Sequence, residues 1–222
     1  DGNRQKGISL LQEQVNPDII LLDDAFQHRK VRAGFNILLS TYNDLYVNDF
    51  VLPTGNLREP RHGAKRADVI VVTKCPDNLS QQKKKEIITK IKPKANQIVL
   101  FSSIAYSNEF ISDLGRMTIE DIKSKPFTLV TGIANAKLLV DYLDSKNLTF
   151  SHSEFKDHHD FTNDDIDKLK TKTLVVTTEK DYMRLKNKVN VNLFYLPIEV
   201  KLHEQNVFNE LLNAFVNDFK HL

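Results

Sequence analysis

Val69-Ile70-Val71-Val72, the polar stretch from Asn78 to Lys92 and the run Gln97-Ile98-Val99-Leu100-Phe101 follow one another in this chain. The two flanking runs are β-branched and aliphatic, while Ile87, Ile88 and Ile91 recur between them at helical spacing. Near-continuous apolar strands, covered on both faces, mark a parallel sheet. Strand, helix and strand in this order predict α/β architecture with right-handed crossovers.

The same alternation extends outward in both directions. Further strand-like runs are Ile19-Ile20-Leu21-Leu22, Phe35-Asn36-Ile37-Leu38-Leu39, Phe127-Thr128-Leu129-Val130, Leu174-Val175-Val176 and Val191-Asn192-Leu193-Phe194-Tyr195. Helical spacing predicts helices over 5–14, 136–145, 162–170 and 204–219, the first ending before Pro17, whose ring disfavours helix at the preceding residue. A polar seam between residues 102 and 126 holds a short helix-like patch and ends at Pro126. The expected division is a core over 1–104 and a smaller carboxyl-terminal α/β lobe over 105–222.

Composition narrows the function. The chain has 222 residues, of which 41% are hydrophobic and 27% charged, so it can bury a core and is not disordered. No apolar run approaches the roughly 20 residues of a membrane-spanning helix. Thirty-one basic and 29 acidic residues leave a net charge of +2, far from the basic excess that points to nucleic acid. The single cysteine, Cys75, excludes a disulfide framework and a multi-cysteine zinc site and fits a reducing compartment, the cytoplasm. The chain opens without Met or signal sequence, as if cut from something longer. Lys83-Lys84-Lys85 reads as the solvated face of a helix.

Four segments can carry chemistry. Ile19-Ile20-Leu21-Leu22-Asp23-Asp24 reads as a buried strand that delivers two carboxylates at its carboxyl end, where open α/β sheets place ligands. Such acids hold Mg²⁺ in phosphate-loop enzymes; the competing reading is a helix cap or turn. Gln27 and His28 follow at once. Leu52-Pro53-Thr54-Gly55-Asn56-Leu57-Arg58-Glu59-Pro60-Arg61 is a loop punctuated by Pro and Gly, in which Arg58 offers a planar fork to phosphate or carboxylate oxygens, or forms an exposed ion pair with Glu59. Phe155-Lys156-Asp157-His158-His159-Asp160-Phe161 admits a metal cluster, an acid–base His oriented by an Asp, or capping chemistry. Zinc is disfavoured there, and Thr162 with Asp165 spells a capping box. In Thr177-Thr178-Glu179-Lys180-Asp181, Lys180 either reaches a phosphate or pairs with Glu179 or Asp181. The chain contains no Gly-x-x-x-x-Gly-Lys-Ser/Thr phosphate loop.

Six motifs in order, Asp1-Gly2-Asn3-Arg4, Asp23-Asp24-Ala25-Phe26-Gln27-His28, Leu52 to Pro60, Gly132-Ile133-Ala134, Asp157-His158 and Thr178-Glu179-Lys180-Asp181, resemble the tetraacyldisaccharide 4′-kinase family of lipid A synthesis. The resemblance covers nearly the whole chain and implies a phosphate-loop-kinase-like, mostly parallel sheet flanked by helices. It implies ATP-dependent phosphorylation of the 4′-hydroxyl of a tetraacylated glucosamine disaccharide 1-phosphate at the cytoplasmic face of the bacterial inner membrane.

The family's acidic pair falls on Asp23 and Asp24, implying catalytic and Mg²⁺-binding roles. Arg4, Gln27, His28, Arg58 and Glu59 match positions implied in substrate or transition-state contacts. His158 matches the histidine that supports the catalytic base, and Lys180 is a possible phosphate contact. The base itself, the phosphate loop and the membrane-contacting helix are expected upstream of residue 1, which makes the 222-residue chain inactive alone. Ala25 stands where the family often has Gly, and Asn56 where it often has Pro. The alternative is a non-catalytic α/β module that binds an anionic ligand through Arg4, Arg58 and Lys180.

Overall fold

The computed structural model describes residues 3–220, so Asp1 and Gly2 of the first motif lie outside the described residues. The chain forms two compact units, 1–104 with 200–222, and 105–199. The division expected from the sequence assigned everything after residue 104 to one lobe. The difference arises at Val200, where the chain re-enters the first unit and the last helix becomes one of its layers.

In the first unit, α1 (Arg4–Gln14) precedes a four-stranded sheet ordered β1 (Ile37–Thr41), β2 (Val69–Thr73), β3 (Ile98–Tyr106), β10 (Ile198–Leu202). The first three strands are parallel, with Ile37 beside Val69 and Val69 beside Ile98. Alternation along β2 sends Ile70 and Val72 toward α2 (Gln81–Ile91), where they pack with Ile87 and Ile91. Val69 and Val71 face the other way and share a cluster with Leu100 that Phe208 and Leu211 of α7 (Gln205–Lys220) cover. Both faces of β2 are therefore dry.

One lysine of the basic run departs from the solvated-face expectation. Lys84 is buried, bonded to Glu204 at 2.5 Å and placed 5.3 Å from the Phe101 ring centroid. The second oxygen of Glu204 accepts the Phe101 amide at 3.1 Å. A lysine on the inward face of α2 is tolerated because its charge is paired where it enters.

In the second unit a six-stranded sheet is ordered β5 (Gly115–Thr118), β4 (Glu109–Ser112), β9 (Asn192–Tyr195), β8 (Leu174–Thr177), β6 (Phe127–Thr131), β7 (Phe150–Glu154). β7, β6, β8 and β9 run parallel, and the β4–β5 hairpin is added antiparallel at one edge. Leu129 and Val176 pack with Leu139 and Leu143 of α4 (Lys137–Ser145), and with Ile119 and Ile122 of α3 (Ile119–Lys123). On the opposite face Val130 and Val175 meet Ile166 and Leu169 of α5 (Asn163–Lys170) and Tyr182 and Leu185 of α6 (Glu179–Leu185). The seam read as polar connection is thus partly sheet: Phe110, fully buried, anchors the hairpin in the core.

The run Ile19–Leu22 is the main departure from expectation. It forms no strand; Ile19 is exposed and Leu21 is 90% exposed. A strand exists only when its amide and carbonyl groups meet a neighbour's, and the first sheet holds β1, β2, β3 and β10 without this segment. Ile70→Ala is therefore expected to lower stability by about 2–5 kcal/mol in denaturant unfolding, whereas Leu21→Ala shifts it by about 0.5 kcal/mol or less.

Thr162 caps α5 in the predicted box, its hydroxyl accepting the Asp165 amide while the Asp165 carboxylate accepts the Thr162 amide. The Asp165 carboxyl is pulled down to about 2, first by the 2.9 Å bond from His159 and then by Thr162. Because its folded value lies below its unfolded one, the stabilisation is complete above about pH 4 and is lost as pH falls toward 2. Thermal unfolding of Asp165→Asn should accordingly show a shallower fall across pH 4 to 2 than the unsubstituted chain.

Candidate functional site

In the first unit the two acids sit on a turn that α1 holds. Asn3 caps α1 by accepting the Lys6 amide, which sets Arg4 and Gln5 at the helix start. One nitrogen of Arg4, Nη2, donates to the carbonyl oxygens of both Asp23 and Asp24 at 3.2 Å, and Gln5 donates to the Lys30 carbonyl at 3.0 Å. Asp24 takes a left-handed conformation, φ 43°, which Asp adopts more readily than most residues. Its carboxylate accepts Arg58 Nη1 at 2.8 Å. That bond, with the charge behind it, holds the Asp24 carboxyl below the usual carboxylate range. Since both partners are exposed, the pair orients the acid rather than stabilising the fold.

The loop carrying Arg58 is built from within. The Asp49 carboxylate accepts the Phe50 amide at 2.7 Å and the Asn56 amide at 3.0 Å. A Cβ on Gly55 would lie 2.2 Å from Asp49 Oδ1 and 2.4 Å from the Phe50 carbonyl oxygen, so only glycine closes this loop. Arg61 donates to the Asp49 carbonyl at 2.7 Å and stacks over Phe50, and the Leu52–Pro53 peptide is cis.

Arg58 and Glu59, read as an adjacent ion pair, instead take different partners. Glu59 bridges Arg29 at 2.9 Å and Arg66 at 2.7 Å, and Arg66 also donates to the Phe26 carbonyl and lies over the Phe26 ring. Burial pushes the Glu59 carboxyl up, but the bonds from Arg66 and Arg29 outweigh it and the net shift is downward. Gln27 is exposed and His28 half-buried, and neither side chain is hydrogen-bonded among the described residues. The structure thus gathers Arg4, Asp23, Asp24 and Arg58 into one charged turn and places Glu59 as the fastener behind it.

In the second unit the loop Phe155–Phe161, Gly132 and the start of α6 cluster at the carboxyl ends of the parallel strands β7, β6 and β8, the end at which open α/β sheets hold ligands. His158 has φ 58° and its imidazole is 79% exposed. The Asp157 carboxylate accepts the His158 amide at 3.0 Å and lies 3.8 Å from His158 Nε2. Lys180 pairs with Asp157 at 2.9 Å, neither with Glu179 nor with Asp181, and its bond draws the Asp157 carboxyl downward. Asp181 is fully buried and accepts the Gly132 amide at 2.7 Å and the Thr178 hydroxyl at 2.9 Å. His159 stacks on Phe155 and bonds Asp165, so it serves the cap and not a metal.

The donor set fits Mg²⁺ in type. Asp23 offers a carboxylate free of hydrogen bonds and ion pairs among the described residues, next to Asp24, and no group of three or more His, Cys, Asp or Glu is gathered for a metal among those residues. One or two carboxylates completed by water and phosphate oxygens is a Mg²⁺ set and not a zinc one. Sequence alone did not single out Arg29, Arg66 or Arg184. For Arg184 a signal existed, a base three residues after the acid Asp181.

Residues 1–217 match the model of the family described as tetraacyldisaccharide-1-P 4′-kinase. The chain is 47% identical over 216 residues to the tetraacyldisaccharide 4′-kinase of Flavobacterium johnsoniae, covering 93% of this chain and 62% of that protein. It is 46% identical over 205 residues to the same-named protein of Flavobacterium psychrophilum, covering 89% of this chain and 59% of that one. With the one from Phocaeicola vulgatus it shares 33% identity over 239 residues, 99% of this chain and 65% of that protein. The chain therefore spans about three fifths of the length of the curated relatives it matches. A crystal structure of LpxK from Aquifex aeolicus in complex with ATP superposes with a TM-score of 0.68 at 24% identity, over 96% of this chain and 62% of that one, and shares its α/β fold. The matched span and the identity to these relatives together place the chain in the tetraacyldisaccharide 4′-kinase family.

Proposed function

We propose that this chain supplies the acidic turn and the supporting histidine of a kinase that transfers the ATP γ-phosphate to the 4′-hydroxyl of a tetraacyldisaccharide 1-phosphate. The observation that carries the reading is the charged turn itself: Asp24 aimed by Arg58 at 2.8 Å, with Arg4 bonded to the carbonyls of both acids.

In this reading Asp23 and Asp24 hold Mg²⁺, which when bound neutralises charge on the nucleotide phosphates. Arg58 and Arg4 offset negative charge that accumulates on the transferring group, and Gln27 and His28 flank the turn toward the substrate. Glu59 acts from behind, through Arg29 and Arg66. His158, with Asp157 beside it, supports the base that takes the proton of the sugar hydroxyl. Lys180 acts on Asp157, and a phosphate contact remains open to it once that bond is exchanged. Work on a lipid precursor assigns the protein to the cytoplasmic face of the inner membrane. In this reading the membrane contact is peripheral and is made upstream of residue 1; among the described residues no helix is long and apolar enough to cross a membrane.

The test is ATP-dependent phosphate transfer to a tetraacyldisaccharide 1-phosphate by the chain extended to the length of its relatives. Asp24→Ala should lower kcat by about a thousandfold or more with unchanged circular dichroism, as loss of a charge-positioning group does. Near-normal turnover would reject the role. The 222-residue chain alone is expected to form no 4′-phosphate product, and product from it would show that the nucleotide site lies within these residues.

A further inference from the structure

We infer that Arg184 is a positioning residue for His158, an assignment that rests on the proposed kinase reading. The exposed imidazole of His158 has no hydrogen bond, ion pair or ring contact among the described residues beyond the 3.8 Å approach of Asp157, so the backbone of its loop decides where the ring stands. That backbone holds a non-glycine residue at φ 58°, a conformation that persists only where surrounding structure imposes it.

Arg184 imposes it. From the third turn position after Asp181 on α6, its Nη2 donates to the carbonyls of His158, at 3.3 Å, and His159, and to the Asp160 carboxylate at 3.1 Å. The guanidinium lies 5.5 Å from the Phe161 ring centroid, closing off the same loop from its far end. Four consecutive residues, 158 to 161, are thus gripped by one planar cation, a task that suits the rigid fork of arginine and not the point charge of lysine.

The grip is itself anchored. Arg184 Nη1 approaches Asp181 Oδ1 at 3.5 Å, and the buried Asp181 carboxylate is tied to the Gly132 amide and the Thr178 hydroxyl at the ends of β6 and β8. A Cβ on Gly132 would come within 3.0 Å of Asp181 Oδ1, so the strand end is shaped to receive this carboxylate. The line from sheet to imidazole runs Gly132, Asp181, Arg184, loop carbonyls, His158. Lys180 holds Asp157 independently, which leaves the loop its first fastening when Arg184 is removed.

Two measurements test this separately. The first is hydrogen exchange of residues 157–161 in the 222-residue chain, which requires no activity. Arg184→Ala should raise exchange in this segment alone, with Arg184→Lys intermediate; unchanged exchange in a folded variant overturns the fastening.

The second is kinetic, in the chain extended to the length of its relatives. Arg184→Ala should lower kcat about ten- to a hundredfold while KM for ATP and for the lipid acceptor stays within about twofold, because misplacement of a reacting group costs rate rather than binding. Arg184→Lys should recover part of the loss, and guanidinium added to Arg184→Ala should recover part as well. In a His158→Ala background the further loss from Arg184→Ala should disappear, since the two act through one group. Multiplying losses, or a KM effect alone, overturns the positioning role. Absence of transfer by the unsubstituted extended protein overturns the kinase reading instead, and the exchange experiment still decides the fastening.

Discussion

A parallel strand buried on both faces has only its ends left to meet water. That constraint organises this molecule. β2 is shared between the α2 side and the α7 side, and β6 and β8 between the layers of α4 and of α5 with α6, so no side chain along their length is free for chemistry. What the strands deliver, they deliver at their carboxyl ends: Gly132 after β6, Phe155 after β7 and Thr178 after β8. The second candidate cluster is assembled from three segments remote in sequence because the sheet brings these ends side by side.

Guanidinium groups then hold what the strands present. In each unit arginines bond backbone carbonyls, Arg4 at the acid turn, Arg66 at Phe26, Arg61 at Asp49 and Arg184 at the histidine loop, and Arg66 and Arg184 bond carboxylates as well. Loops leave carbonyl oxygens unpaired that a helix or sheet would have used, and a planar cation with five donors satisfies several at once. Two left-handed residues, Asp24 and His158, sit within these grips. The exposed ion pairs contribute little to stability, so their value lies in orientation. Family membership gives the same clusters a chemical context, since the matched relatives are named as kinases.

Legibility varied with how local the determining interaction was. The helices over residues 81–91, 137–145 and 163–170 were visible because apolar spacing and caps are written within a turn or two; Thr162 and Asp165 are three residues apart. Phe110 and the β4–β5 hairpin were hidden in a seam that reads as polar, because one buried aromatic and a short edge strand leave no periodicity. α6 was hidden too, since Thr178, Glu179, Lys180 and Asp181 read as a charged strand end until Thr178 is seen accepting the Asp181 amide as a helix cap. The acids of the first cluster and His158 of the second were found by type and order, while Arg29 and Arg66 lacked any local mark and Arg184 carried only its i, i+3 spacing from Asp181.

The amino-acid order by itself determined the α/β class, most element positions and the family, because these follow from short-range periodicity and from motifs in sequence. Tertiary structure alone decided which runs find partners. Ile19–Leu22 is as apolar as β2 yet remains outside the sheet, and the last helix belongs to the unit that the chain had left at residue 104. It also decided the pairings of charge: Arg58 with Asp24, Glu59 with Arg29 and Arg66, Lys180 with Asp157, Arg184 with the carbonyls of its loop. A charged side chain takes the partner that lies within about 4 Å in space. Separations along the chain, from 7 residues for Glu59 with Arg66 to 34 for Arg58 with Asp24, carry no record of that distance.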